Sequence, residues 1–210
     1  MLPGRETVKD RMMTIVDHDE RRQRIAEVAF ELIAREGLDA ATIRRIAAEV
    51  GYSTTAITHY FAEKQELLAW VYQTLIAKYD ERFRAAISHD PSDLVSGLLS
   101  ATAADETSIR YWRVYIAFWE RAARDPAFRE QQRQDMTRTV QEIGAFISTY
   151  YPHCRDVERA SRMLTVIVEG ISIQVLVDRQ SWSPMQIQDA LAREVAALLG
   201  DATVAGSCAP

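Results

Sequence analysis

Cysteine, proline and glycine are all scarce in this chain, with two, six and eight residues respectively among 210. The two cysteines, Cys154 and Cys208, make no disulfide framework and suit a reducing compartment, so the chain is expected in the cytoplasm. Long apolar runs are missing as well. The most apolar window, residues 164–177, is interrupted by Glu169 and Gln174, and no stretch reaches the roughly 18 apolar residues of a spanning helix, so no membrane partner is expected. The first residues mix Arg5, Lys9 and Arg11 with Glu6 and Asp10 and hold no apolar segment of the signal-peptide kind. A strong charge of one sign is also absent: 25 Lys and Arg stand against 30 Asp and Glu, which excludes a basic coat that would hold nucleic acid nonspecifically.

The short signatures of catalysis are missing too. There is no nucleophile-elbow, phosphate-loop or dinucleotide-binding glycine pattern, and His18, His59, His89 and His153 do not stand at the i, i+4 spacing of a helical metal site. His153 beside Cys154 reads as surface loop after Pro152. No catalytic residue, no metal and no cofactor is expected.

What is present is helical periodicity. Pro91, Pro126, Pro152 and Pro184 separate long segments whose apolar residues recur at three and four positions, and no period-2 stretch or fixed-length repeat occurs. The fold is therefore expected to be all-α. A first helix starts near Asp17 or Asp19 and stops at Gly37; Thr42 caps 43–50, Gly51 ends it, Ser53 caps the next, and a long amphipathic helix runs over 63–89. Further helices are expected at about 92–104, 106–124, 126–150, 155–179 and 184–199. The domain reading is a flexible arm 1–18, a small helical domain 19–68, a larger one 69–200 and a flexible tail 201–210.

Residues 43–62 carry the most informative pattern. Ala47 is small where two helices would cross, Gly51 suits a left-handed turn, Ser53 is an N-cap, and Ile46, Val50 and Ile57 can pack both helices onto the first. This is the pattern of a helix-turn-helix with 53–61 as recognition helix; an ordinary αα-corner in a helical binding or adaptor protein is the alternative. Residues 1–70 carry ten Lys or Arg against twelve Asp or Glu, so position matters more than net charge. Arg44 and Arg45 open the second helix and Lys64 opens the fourth, where all three can face phosphates.

The run Thr42-Ile43-Arg44-Arg45-Ile46-Ala47-Ala48-Glu49-Val50-Gly51-Tyr52-Ser53, followed by Ile57-Thr58-His59-Tyr60-Phe61, Lys64 and Leu67, resembles the DNA-binding domain of the TetR family of transcriptional repressors. The resemblance implies a homodimer with a three-helix N-terminal domain that reads a palindromic double-stranded operator and a larger C-terminal domain for ligand binding and dimerisation, where a small-molecule inducer releases the DNA. It implies phosphate contacts at Thr42, Tyr60 and Lys64, a base contact at Arg44, and base or sugar contacts at Thr54, Thr55 and Thr58. Thr58 departs from the tyrosine that many relatives carry. Arg45, Ser53 and His59 complete the candidate set, with Thr42 and Ser53 also acting as caps and His59 open between DNA contact and packing. Arg44 can bond guanine bidentately, whereas threonine hydroxyls read any base pair.

The second half, through Trp112, Asp125-Pro126, Val168-Glu169-Gly170-Ile171, Leu176-Val177-Asp178 and Trp182-Ser183-Pro184, is similar to the BetI-type branch of that family. In the family the last two helices pair with their two-fold mates, and Leu164, Ile167, Val168, Ile171 and Val175 with Leu191, Val195 and Leu198 supply apolar seams for it. Trp112, Tyr115 and Trp119 share one helical face, beside Phe118. They form either core or the wall of a ligand pocket; in the second case their ring faces suit a cation. Glu169 or Asp178 is expected to balance such a cation or to pair with Arg162 or Arg179.

Overall fold

A computed structural model describes the backbone of residues 8–200 and the side chains of residues 18–200. The termini 1–7 and 201–210 of the expected arm and tail lie outside it. Among the described residues there is no strand. The helices are α1 (Val8–Glu36), α2 (Ile43–Val50), α3 (Thr54–Tyr60), α4 (Lys64–Ala86), α5 (Leu94–Ala101), α6 (Glu106–Arg124), α7 (Pro126–Tyr150), α8 (Val157–Val177) and α9 (Pro184–Leu199). Two compact units divide between Leu75 and Ile76, inside α4.

In the first unit α1 begins at Val8, upstream of the expected cap at Asp17 or Asp19, so 8–18 are helical and not an arm. Residues 8–18 contain no Gly or Pro, and a helix already nucleated extends by one hydrogen bond per residue. Ile25, Ala26, Ala29, Phe30, Leu32 and Ile33 are buried on α1, and Ile46, Ala47, Val50, Ile57 and Phe61 on α2, α3 and the residue after it.

The second unit surrounds one apolar core that includes Leu94, Leu98, Ile109, Trp112, Ile147, Leu164, Val168, Ile171, Val175, Ile187, Leu191, Val195 and Leu199. Its helices start where a side chain can satisfy free backbone N–H groups. Asp93, Asp105, Asp125 and Asp156 cap α5 to α8, and Ser183 with Gln186 forms a capping box on α9 behind Pro184. The helix expected at 92–104 is shorter because the Thr102 backbone turns extended after Ala101.

Two sequence expectations are corrected here. First, Leu164, Val168, Ile171, Val175, Leu191 and Val195 are enclosed in the unit's own core and so are not free for a partner copy, while Ile167 and Leu198 pack half-buried against it. Helix α8 is apolar nearly all round, and periodicity alone does not say which face turns inward. What stays on its outside is a second stripe: Met163, Val166 and Ile173 are 40%, 52% and 39% exposed, and Val177 is 85% exposed. Secondly, α8 is long and apolar enough to cross a membrane by length and composition. Five of its apolar residues, Ala160, Leu164, Val168, Ile171 and Val175, nevertheless pack inside the unit.

Candidate nucleic-acid interface and ligand site

Helices α2 and α3 are joined by a turn whose geometry the sequence dictates locally. Thr42 Oγ1 accepts from the Arg45 amide and Ser53 Oγ from the Ala56 amide, so both hydroxyls cap. Between them Gly51 takes φ 78°, ψ 28°, and the amides of Gly51 and Tyr52 both bond the Ala47 carbonyl. A side chain at that φ would be strained. With Ile57 buried, Thr54, Thr55, Thr58 and His59 are left exposed along α3. Thr58 donates its hydroxyl proton to the Thr55 carbonyl, leaving its lone pairs and methyl to face outward.

The cations of this region separate into two kinds. Arg44 is exposed and, among the described residues, makes no ion pair or hydrogen bond; Lys64, half-buried at the start of α4, makes none either. Arg45 is engaged differently. Its two terminal nitrogens grip the Glu36 carboxylate at 2.7 and 2.9 Å, and Arg35 bridges Glu36 and Glu49 beside it. These contacts push the Glu36 carboxyl below its usual range, chiefly through the Arg45 hydrogen bond. Arg45 is thus a structural tie between α1 and α2, which corrects its place among the DNA contacts: a bidentate partner one helix away was not visible in the spacing.

Two α1 residues that sequence reasoning missed stand beside the recognition helix. Arg21 donates to the Tyr60 hydroxyl at 3.2 Å, and the His18 ring lies 4.9 Å from Tyr60 and 6.2 Å from His59, centroid to centroid. The only sequence signal was that α1 is basic at 21, 22 and 24. Arg22 does a different job: its guanidinium stacks 4.8 Å from Phe61 and 4.3 Å from Trp70 while pairing with Glu66. Glu66 in turn accepts from the Ala62 amide. This clamp fixes the segment between α3 and α4 and hence the position of Lys64. Arg22→Ala is expected to lower stability by about 2 kcal/mol, and Arg22→Lys to recover less than half of it, because an ammonium does not stack as a planar guanidinium does; thermal melting of both variants checks this.

In the second unit the aromatic stripe of α6 divides into core and site. Trp112 is buried with its indole N–H on the Ala101 carbonyl at 2.8 Å, and Phe118 is buried against Phe128. Both are core, correcting their placement in a pocket wall. Tyr115 and Trp119 remain half-buried, with ring centroids 5.6 Å apart. The Tyr115 hydroxyl donates to Glu169 Oε1 at 3.4 Å. Burial pushes its pKa up, Glu169 and, more weakly, Asp135 add to this, and the nearby Trp119 N–H opposes it. That indole nitrogen is buried and, among the described residues, completes no hydrogen bond of its own. Burial also pushes the Glu169 carboxyl up, against the Tyr115 hydrogen bond.

The expected arginine partners of Glu169 and Asp178 are elsewhere: Arg162 pairs with Glu158, Arg179 with Glu106, and Asp178 accepts from Ser181. Among the described residues no Lys or Arg pairs with Glu169. Helices α6, α7 and α8 thus bring together a half-buried carboxylate, an indole donor without an acceptor and two aromatic rings, with Asp135 nearby on α7. A cation satisfies such a carboxylate better than any neutral group. Among the described residues no group of three metal-binding side chains forms.

Residues 91–200 match the family profile described as the BetI-type transcriptional repressor, C-terminal, and residues 25–71 that of the bacterial regulatory proteins, tetR family. The HTH-type transcriptional regulator PksA of Bacillus subtilis is 27% identical over 168 residues, covering 78% of this chain and 82% of that protein. The HTH-type transcriptional regulator BetI of Stenotrophomonas maltophilia is 26% identical over 158 residues, covering 72% and 79%. Among solved structures, a transcriptional regulator from Rhodococcus sp. Rha1 superposes with a TM-score of 0.77 at 25% identity, covering 87% of this chain and 98% of that one. A protein of Saccharomonospora viridis, described as a transcriptional regulator and solved in complex with choline, shares the fold with a TM-score of 0.73 at 24% identity over 83% and 95%.

Proposed function

The chain belongs to the TetR family of transcriptional regulators, with a BetI-type C-terminal domain, and on that premise we propose how its residues divide the work of operator, inducer and dimer. It is a ligand-responsive DNA-binding repressor and not an enzyme; nothing favours the helical adaptor alternative. The domain limits proposed are DNA binding by the α1–α3 unit and ligand binding and dimerisation by the second unit, in a cytoplasmic protein. The observation that carries the DNA reading is the pairing of an unengaged, exposed Arg44 with the exposed hydroxyl row Thr54, Thr55 and Thr58 on one helix-turn-helix. Arg44 reads a base edge; Thr42, Ser53, Tyr60 and Lys64 hold the backbone, and His59 flanks them.

In a duplex selected by the protein from a random pool, Arg44→Ala is expected to lose about 1–3 kcal/mol of discrimination at one position of each half-site. Lys64→Ala should weaken all duplexes alike and reduce the salt slope by about one. An unchanged ranking of duplex variants after Arg44→Ala would remove its base-reading role.

The inducer proposed is a small organic cation held between Tyr115, Trp119 and Glu169; the choline complex of the structural neighbour supports that class. Coupling to DNA runs through α4. Within the second unit Tyr79 meets Tyr111, Trp112 and Tyr115 edge-on at 5.8, 6.2 and 6.5 Å, and Arg82 binds Asp105 and Ser108 at the start of α6. A ligand that displaces α6 therefore moves the last turns of α4, whose first turn carries Lys64. Ligand and operator then oppose each other by linkage.

A further inference from the structure

We infer that His18 and Arg21 of α1 join His59 and Tyr60 of α3 in a phosphate-binding clamp whose charge is completed by protons, so that operator affinity rises as the solution becomes more acid; this rests on the DNA-binding reading above. Three observations carry it. The Tyr60 hydroxyl is held by Arg21 at 3.2 Å, which fixes the phenol and puts a permanent positive charge beside it. The two imidazoles flank the same phenol, His18 at 4.9 Å and His59 at 5.4 Å between ring centroids. His59 is exposed and the His18 side chain is 40% exposed, so neither is consumed by the core. A diester oxygen reaching Tyr60 therefore meets an arginine and two imidazoles.

The surrounding charges fit this use. On α1, Asp19 lies 3.9 Å from the His18 ring. Arg22 and Glu66 neutralise one another on the Phe61 and Trp70 side. Helix α3 carries no charged side chain besides His59, and the segment after it contributes Glu63 and Lys64. Arg21 thus brings a permanent positive charge to the Tyr60 hydroxyl. A phosphate placed there favours the imidazolium form of both histidines, and by reciprocity the imidazolium forms favour the phosphate. Imidazole changes charge between about pH 5 and pH 8, the range in which the clamp would respond. A dimer presents the clamp twice on a palindromic site, doubling the proton uptake.

The test uses the full chain and a duplex that it selects from a random pool at about pH 6, with Kd measured from about pH 5.5 to about pH 8 at constant ionic strength. Wild-type affinity should rise about tenfold or more toward the acid end. Binding calorimetry at neutral pH in buffers of different ionisation enthalpy should report net proton uptake. The double variant His18→Gln/His59→Gln should lose the acid rise whatever its affinity at alkaline pH, whereas His89→Gln/His153→Gln should keep it. Arg21→Gln should weaken binding at every pH and lower the salt slope by about one, while melting curves confirm that each variant folds. A Kd that does not change with pH, or an acid rise that survives in the double histidine variant, overturns the clamp while leaving DNA binding standing. If no duplex is selected at any pH, the DNA-binding reading itself falls and the clamp with it.

Discussion

Val166→Glu, and separately Ile173→Glu, is expected to give a monomer that keeps its helical content and loses operator affinity by about 10²–10⁴-fold. The reasoning starts from the stripe Met163, Val166, Gly170, Ile173 and Val177, spaced three and four residues apart along one side of α8. Such spacing is what a long helix needs to pack along a second one at a shallow angle. Nothing lies within 4 Å of where a Cβ on Gly170 would stand, so a partner helix can approach the backbone closely there. Met185 at the start of α9 is 71% exposed as well. Two carboxylates brought together near a two-fold axis lose water without gaining a partner, which separates the copies. A monomer then binds one half-site and forfeits the effective concentration of the second.

Sedimentation combined with a duplex titration measures both effects, and a dimer of wild-type affinity would show that another face is used. Leu164→Glu provides the contrast. That side chain is fully buried in the unit's own core, so the same chemistry should unfold the second unit, not merely split the dimer.

Glu169→Gln should abolish release of the operator by organic cations while raising the stability of the ligand-free protein. Burial holds the carboxyl above its usual range, so the folded state binds a proton more readily than the unfolded chain. The stabilisation from protonating Glu169 is therefore fully present below the unfolded pKa and lost as the pH rises through the higher folded one. At neutral pH the carboxylate destabilises the empty protein, and the neutral amide relieves this while still accepting the Tyr115 hydroxyl. A rise in Tm of about 2–4 °C, about 1 kcal/mol for a domain of this size, is expected. In the wild type, cation affinity should fall on acidification sooner than it would with an ordinary exposed glutamate, because the carboxyl takes up its proton at higher pH. Tryptophan fluorescence reporting on Trp119, read beside duplex release, follows both. If Glu169→Gln lowers Tm and leaves cation-driven release intact, the carboxylate is structural and the ligand sits elsewhere.

Much of the architecture was legible in the chain itself. Helix limits at Gly37, Thr42, Gly51, Ser53, Pro126 and Pro184 follow from caps and breakers that act within one or two turns, and such local chemistry holds wherever the segment is placed. The helix-turn-helix was legible for the same reason, since a left-handed glycine, a serine cap and three apolar residues at fixed spacing leave few alternatives. The start of α1 was not, because nothing in residues 8–18 marks an end and acidic residues within a helix look like caps.

Tertiary structure alone decided which side of each element faces what. Helix α8 carries apolar residues on two faces, and only packing against α5, α6, α7 and α9 could show that Leu164, Val168, Ile171 and Val175 turn inward and Met163, Val166 and Ile173 outward. Arg44 and Arg45 are adjacent and chemically identical, yet one faces out and the other grips Glu36 from a different helix. Trp112 and Trp119 lie on one stripe, but the Ala101 carbonyl satisfies the first indole, whereas among the described residues the second completes no hydrogen bond. In each case the sequence determined the chemical type and its period, because those depend on neighbours along the chain. The assignment between core and site depends on partners many residues away, and only the folded chain brings them within reach.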